Sequence, residues 1–164
     1  MEIRAIEMRD IEQFLNLLVT LEENSKDDLY EDQPLNISNT ETLLSSVLQN
    51  AKRQIFVARD NQRIVGYISL AGNHNEMTAH RATVSLGVLQ TDQQNSIGRN
   101  LLNAAIHWAE ENRIHRLELS IRDDFAEEIE LYKALGFKKE GERVDALFID
   151  GKYRNEIYLY RLIN

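Results

Sequence analysis

The pattern of hydrophobic and polar positions is clearest over residues 81–111. Residues 82–89 are mostly apolar and β-branched, which predicts a buried strand, and residues 90–96 form a polar loop. A helix is predicted from Ile97 onward, because apolar side chains recur there at three-and-four spacing. These side chains are Ile97, Leu101, Leu102, Ala105, Ile106 and Ala109. The pattern therefore predicts a strand, a polar loop and an amphipathic helix in succession.

Short apolar or alternating runs predict the other strands of the chain. They cover residues 2–8, 54–59, 63–71, 115–121, 142–149 and 152–163. Turn residues at 60–62 and at Asp150-Gly151 join two pairs of these strands into hairpins.

Three more helices complete the element order. The first begins at Asp10, with Gln13 completing a capping box, and the second follows Asn39 or Thr40 as its cap. The apolar stripe of the second helix is Leu43, Leu44, Val47 and Leu48. A short helix over residues 125–135 ends before a glycine, which is typical of a C-terminal cap.

The resulting order is β-α-α-β-β-β-α-β-α-β-β. At the centre of this order, a helix connects two successive strands, and such a crossover pairs the two strands in parallel. Hairpins give antiparallel pairs. The prediction is a mixed α/β (α+β) fold, a mostly antiparallel sheet of about seven strands flanked by four helices.

Composition narrows the function classes. With 164 residues, the chain is predicted to be a single domain, 1–164. It has no cysteine, which excludes disulfides, thiolate metal sites and a catalytic cysteine, and we predict no metal site. The net charge of −8 argues against nucleic-acid binding. We find neither a signal peptide nor a membrane-spanning apolar run, so we expect a cytoplasmic protein with no membrane partner.

The polar loop and the helix after it predict an anion site. The first N–H groups of a helix lack intrahelical acceptors, and together with the helix dipole they favour phosphate. Gly98, near the predicted helix start, has no Cβ to keep a bulky anion from the backbone.

Two motifs resemble those of one family. The loop Gln93-Gln94-Asn95-Ser96-Ile97-Gly98-Arg99 resembles the pyrophosphate-binding loop of the GNAT N-acetyltransferase superfamily. The segment Ile129-Glu130-Leu131-Tyr132-Lys133-Ala134-Leu135-Gly136-Phe137 resembles a second motif of this family. After it come Glu140-Gly141 and then Asp150-Gly151-Lys152-Tyr153, an arrangement that resembles the branch of ribosomal-protein and small-amine acetyltransferases. The element order is also that of the GNAT fold.

This resemblance implies an acetyl-CoA (coenzyme A) site between two splayed central strands. The free backbone groups of Leu86 and Val88 would pair with the pantetheine arm, and Tyr132 would be the general acid. The pyrophosphate would lie against Gln93, Gln94, Asn95, Ser96, Ile97, Gly98 and Arg99. Phe125 stands where the family commonly has an Asn that contacts pantetheine, and Asp124 is a candidate to replace it.

The general base stays open. The strand at 82–89 has no acidic residue, although many relatives place an acid there. His80, Glu76, His74 and Glu118 are candidates, and a chain of water molecules is an alternative. Ser96 also departs from the family, because a Gly is usual at its position.

The acceptor is predicted to be a primary amine on a small molecule or peptide. An acidic connection between the first two helices contains Glu22, Glu23, Asp27, Asp28, Tyr30, Glu31 and Asp32. It is either a solvated face or a surface for a cationic acceptor such as a polyamine. The resemblance also leaves a homodimer open, since dimers of this family often pair their closing strands.

The sequence thus predicts an acetyl-CoA-dependent N-acetyltransferase that works by direct attack of the amine. The alternative is a non-catalytic acyl-CoA-binding or sensing protein of the GNAT fold, which the departures at Ser96 and Phe125 favour and the presence of Tyr132 opposes. A third reading is a protein-interaction role through Tyr153, Tyr158 and Tyr160.

Overall fold

A computed structural model describes residues 1–21, 34–91 and 93–164. Its seven strands form one sheet in the order β1-β2-β3-β4-β5-β7-β6. The strands are β1 Glu2–Ala5, β2 Arg53–Asp60, β3 Arg63–Gly72, β4 Arg81–Val88, β5 Arg116–Arg122, β6 Lys138–Ile149 and β7 Lys152–Leu162. The helices are α1 Ile11–Leu21, α2 Ile37–Gln49, α3 Gln94–Glu111 and α4 Ala126–Ala134. The predicted order of elements and the mostly antiparallel sheet are confirmed.

The middle of the sheet is its one parallel junction. β4 and β5 pair in parallel through Arg81–Arg116, Ala82–Leu117 and Thr83–Glu118, and the pairing stops there. Neighbouring strands elsewhere in the sheet pair antiparallel. β4 continues to Val88, so its last five residues have no partner on the side of β5. The two central strands therefore splay, as the resemblance implied.

The helices cover the two faces of the sheet. α3 and α4 supply Leu101, Leu102 and Tyr132 to a core on one face, which includes Leu86 of β4. α1 and α2 build the core on the other face, where Phe14 and Tyr67 pack edge to face with ring centroids 5.5 Å apart. Burying these apolar faces is the main driving force for the layered arrangement. None of the described helices is long and apolar enough to cross a membrane.

The start of the first helix differs from the prediction. A 3₁₀ turn, Met8–Asp10, precedes α1, and the capping box joins Glu7 and Asp10 rather than Asp10 and Gln13. The Asp10 carboxylate accepts the Glu7 N–H at 2.8 Å, and Arg4 binds the same carboxylate. Asp10 is thus part of a capping box, but as its third helical residue and not as the N-cap.

The predicted cap of the second helix was also wrong. α2 is capped by Asn36, whose side chain accepts the N–H of Asn39 at 2.7 Å. Thr40 lies inside the helix, and its hydroxyl donates to the Asn36 carbonyl at 2.7 Å. Several residues that suit a cap follow one another here, so residue type alone does not select among them. Leu48, predicted in the apolar stripe, is 49% exposed.

Two further boundaries shift. α3 begins at Gln94, three residues before the prediction, and β6 begins at Lys138, four residues before it. The early part of β6 is polar and exposed, so it carries no alternation that a sequence pattern could detect. The predicted closing turn is confirmed: Asp150 and Gly151 have φ of 52° and 77°, as a type I′ turn requires.

Candidate active site

A cleft of about 700 Å³ opens at the carboxyl ends of the splayed strands β4 and β5. It lies between the ends of these strands, the N-termini of α3 and α4, and the end of α1. Its lining residues are Thr20, Leu21, Arg63, Val88, Leu89, Gln90, Thr91, Gln94 and the run 124–128. A smaller pocket shares four of these residues and adds Leu86, Asn95, Gly98 and Leu131. Of the predicted strand and loop residues, Val88 and Gln94 therefore line the cleft, and Leu86, Asn95 and Gly98 line the smaller pocket.

The free edge of β4 presents specific backbone groups to this cleft. The N–H of Leu89 donates to the carbonyl of Val65 at 2.9 Å, so Leu89 faces β3. Because backbone groups alternate in direction along a strand, Leu86 and Val88 point to the opposite side, where β5 has separated. The same parity holds at the start of β4, where the His80 carbonyl accepts from the first residues of the β5 segment. The predicted free groups are therefore the ones that face the gap.

The N-terminus of α3 offers two more donors. Gln94 donates its N–H to the carbonyl of Thr91 at 3.1 Å, and Ile97 donates to that of Gln93 at 2.9 Å. In the described part of the chain, the N–H groups of Asn95 and Ser96 have no acceptor. A phosphate can take both, since the dipole of an 18-residue helix adds positive potential there.

The family follows from a comparison with known proteins. A family model, the acetyltransferase (GNAT) domain, matches residues 3–158. The chain belongs to the GNAT acetyltransferase family. The family predicted from the two motifs is thereby confirmed.

Solved structures share this GNAT fold over nearly the whole chain. The ribosomal-protein-alanine N-acetyltransferase from Brucella melitensis superposes with a TM-score of 0.85 at 22% identity, covering 99% of both chains. The protein yncA from Salmonella typhimurium, solved with its cofactor acetyl-CoA, gives 0.84 at 18% identity, covering 100% of this chain and 94% of that one. At these identities the likeness shows the fold.

One curated relative is similar in sequence. The spermidine N(1)-acetyltransferase of Vibrio cholerae is 25% identical over 115 residues, which cover 69% of this chain and 65% of that enzyme. The match therefore spans slightly less than two thirds of the relative.

Gly98 of the GNAT loop serves helix packing. The residue is buried one full turn into α3, rather than on its first turn. An added Cβ would come within 2.8 Å of the Leu131 Cδ2 atom of α4 and 3.8 Å of the Leu86 Cδ2 atom. The missing side chain thus lets α3 and α4 approach each other beside the free edge of β4. Its neighbour Ile97 is 3% exposed and belongs to the core, whereas Gln93 and Arg99 are exposed.

Asp124 and Phe125 line the cleft but already have partners. Arg122 donates two hydrogen bonds to the Asp124 carboxylate, at 3.0 and 2.9 Å, and stacks over the Phe125 ring at 4.6 Å. The hydrogen bonds from Arg122 hold the pKa of Asp124 below its usual value, with Arg154 adding a weaker attraction. Asp124 is therefore an acceptor fixed to arginine at the mouth of the cleft.

Tyr132 lies in the core beside the cleft. The residue is 2% exposed, and its ring packs edge to face against Phe137 with centroids 5.1 Å apart. Glu128, one turn earlier on α4, and Leu131 both line the smaller pocket, whose described lining does not include Tyr132. Tyr132 is thus buried next to residues that line the pocket, and it is not among the described lining residues.

The candidate bases lie away from this cleft. His80 is exposed before β4, with its ring 6.2 Å from that of His115, and His74 and Glu76 are exposed in the preceding turn. Glu118 accepts hydrogen bonds from Arg81 at 2.5 and 3.4 Å, where β4 and β5 still pair. None of the four is among the described residues that line the cleft.

The structure adds lining residues that the sequence did not indicate. Arg63, Glu127 and Glu128 line the cleft, and Thr20 reaches it from the end of α1. They come from distant parts of the chain and belong to no motif, so only the fold assembles them. The predicted acidic acceptor surface at residues 22–32 lies outside the described residues. In the described part of the chain, no group of three or more His, Asp or Glu residues is arranged to hold a metal ion.

Proposed function

We propose that this protein is an acetyl-CoA-dependent N-acetyltransferase that acetylates a primary amine of a small molecule or peptide. The observation that carries the proposal is the continuity of two sets of backbone donors. The free edge of β4, at Leu86 and Val88, leads directly to the start of α3, where the N–H groups of Asn95 and Ser96 have no acceptor among the described residues. Membership of the GNAT acetyltransferase family supports the same reaction class.

The residues present fit this cofactor. An amide-containing arm can add to the free edge of β4 as an extra strand, because Leu86 and Val88 offer N–H and carbonyl groups with strand spacing. A pyrophosphate can lie at the N–H groups of Asn95 and Ser96. The cleft of about 700 Å³ is within the range that small-molecule sites occupy.

The protein itself would bind and orient the cofactor, and it would supply a proton. Acetyl-CoA, when bound, supplies the thioester that an acceptor amine attacks. The open edge of β4 fixes the direction of the bound arm, and the Val88 N–H would polarise a carbonyl held against it. We propose the Tyr132 hydroxyl as the proton donor, because a phenol carries a proton that it can give to a departing thiolate.

A cationic amine is the acceptor class that we propose. The similarity to a spermidine acetyltransferase supports it, and so does the acidic segment at residues 22–32. The net charge of −8 also favours the approach of a cation. A panel of polyamines, neutral primary amines and basic peptides tests this choice, and equal turnover of neutral amines and polyamines would refute it.

The test of the reaction is release of the CoA thiol in that panel, with Tyr132→Phe as the variant. The variant keeps the ring that packs on Phe137, and we expect a kcat lower by about 100-fold. The KM for acetyl-CoA should change little. Unchanged kcat would remove Tyr132 from the mechanism and leave the transferase proposal in place.

A second candidate function is acyl-CoA binding without catalysis. The burial of Tyr132 favours it, and so does the position of the four predicted base candidates outside the described lining of the cleft. Tight binding of acetyl-CoA with no turnover of any amine would select this alternative.

A further inference from the structure

The cleft holds an unusual balance of charge for a site that takes an anion. Among its described lining residues, Asp124, Glu127 and Glu128 are acidic, and Arg63 is the one cationic residue. Acetyl-CoA carries a pyrophosphate and a 3′-phosphate, which these carboxylates would repel. Backbone N–H groups carry only partial charge. A side chain with a full positive charge in the cleft would attract the phosphates more strongly.

The sheet register places Arg63 beside the phosphate loop. β3 and β4 pair through Gly66–Val88, and the bond from the Leu89 N–H to the Val65 carbonyl extends the ladder by one residue. Two residues further along, the same register would bring Arg63 level with Thr91, and both residues line the cleft. Thr91 in turn accepts the first N–H of α3, from Gln94. Arg63 thus begins β3 at the point where the chain turns from β4 into α3.

Arg63 has no carboxylate partner in the described part of the chain. The other arginines near the cleft differ, since Arg122 binds Asp124 and Arg154 approaches the same carboxylate at 3.8 Å. Arg63 is exposed at the cleft wall, so its guanidinium can turn toward a ligand without breaking an ion pair to any described residue. A guanidinium binds phosphate through two parallel N–H bonds, which gives both charge and orientation.

We propose that the Arg63 guanidinium binds a phosphate of acetyl-CoA and sets part of the affinity for it. The inference rests on the proposed function. It adds a side-chain contact from β3, outside the loop and helix that the sequence motif covers. The pyrophosphate and the 3′-phosphate are both anions that a guanidinium can bind, and a comparison of CoA with 3′-dephospho-CoA distinguishes them.

The experiment is calorimetric titration of the full chain with CoA and with 3′-dephospho-CoA at low salt. Arg63→Gln removes the charge, and Lys152→Gln removes one charge from the exposed tip of the β6–β7 hairpin as a matched control. We expect Arg63→Gln to raise the Kd for CoA by about tenfold, as the loss of a charge-assisted hydrogen bond predicts, and Lys152→Gln to leave it unchanged. Added salt should shrink the difference between wild type and Arg63→Gln.

The two ligands locate the contact. If the Kd for 3′-dephospho-CoA is unaffected by Arg63→Gln while that for CoA rises, Arg63 binds the 3′-phosphate. If both rise equally, it binds the pyrophosphate. Wild-type binding with no effect of Arg63→Gln on either ligand overturns the inference and leaves the proposed function intact. Failure of the wild-type protein to bind either ligand overturns both.

Discussion

Asp10 shows how one buried charge ties two elements together. It is 4% exposed, and it accepts two hydrogen bonds from the Arg4 guanidinium of β1 and one from the Glu7 N–H, each at 2.8 Å. Burial alone would raise the pKa of this carboxyl, but the bonds from Arg4 and Glu7 outweigh it and hold the pKa below its usual value. The ion pair thus fixes the first strand to the start of α1.

We expect Asp10→Asn to lower the free energy of unfolding at pH 7 by about 3 kcal/mol, because it leaves the Arg4 charge without its partner. The folded-state pKa of Asp10 is lowered, so its contribution is complete above the unfolded value of about 3.9 and is lost as the pH falls through the folded pKa. The difference between wild type and variant should therefore narrow below about pH 4. Urea unfolding at pH 7 and pH 3 measures it.

Glu12→Gln is the control for this prediction, since Glu12 is exposed on α1. It should unfold like the wild type at both pH values. An Asp10→Asn protein as stable as the wild type at pH 7 would show that the pair contributes nothing to stability.

For Gly98, the sequence predicted a role at an anion site, and the structure adds a role in helix packing. The motif predicted an opening for an anion, and the structure shows a close contact with Leu131 that a Cβ would disturb. Replacing Gly98 by a bulky residue would therefore alter helix packing and the cleft together. Ser96 is exposed on the first turn of α3, so a substitution at this position separates the two effects better.

At the scale of elements, the short parallel junction between β4 and β5 creates the site. Its location could be predicted, because a crossover through α3 forces parallel pairing and the family resemblance implied the splay. The length of the paired part could not, since it depends on where β5 turns toward β7, with which it pairs along its whole length from Arg116 to Arg122. No local sequence pattern in β4 predicts where its pairing with β5 ends.

The parity of β4 gives a test by amide hydrogen exchange. The N–H groups of Leu86 and Val88 face the gap, so we expect fast exchange in the free protein and slowing by about tenfold or more with saturating acetyl-CoA. Those of Ser85 and Gly87 face β3 and should be protected in both states. NMR exchange resolves the four residues. Equal protection of Leu86 and Val88 with and without ligand would contradict the proposed strand addition.

For the whole molecule, the sequence predicted the fold and the family, but not the full set of residues that line the cleft. Periodicity and motifs follow from local structure, so the element order and the GNAT family were both predicted correctly. The lining contributed by Arg63 and Thr20 was missed, because only the sheet register and the packing of α1 bring them there. The proton donor and the base depend on side-chain directions that spacing does not encode.

The whole chain is acidic, so an anionic cofactor must be held by local donors. The start of α3 supplies such donors. A negative charge placed there should favour the helix and repel phosphate at the same time. Folding and binding would then respond in opposite directions to one substitution.

The most direct measurement is a calorimetric titration of acetyl-CoA into the wild type, Ser96→Glu and Ser96→Gln. We predict micromolar binding by the wild type, a Kd within about threefold of it for Ser96→Gln, and a Kd at least about tenfold higher for Ser96→Glu. Thermal unfolding should show Ser96→Glu to be at least as stable as Ser96→Gln. Equal affinity of the Glu and Gln variants, or no binding by the wild type at millimolar acetyl-CoA, would contradict a phosphate site at the N-terminus of α3.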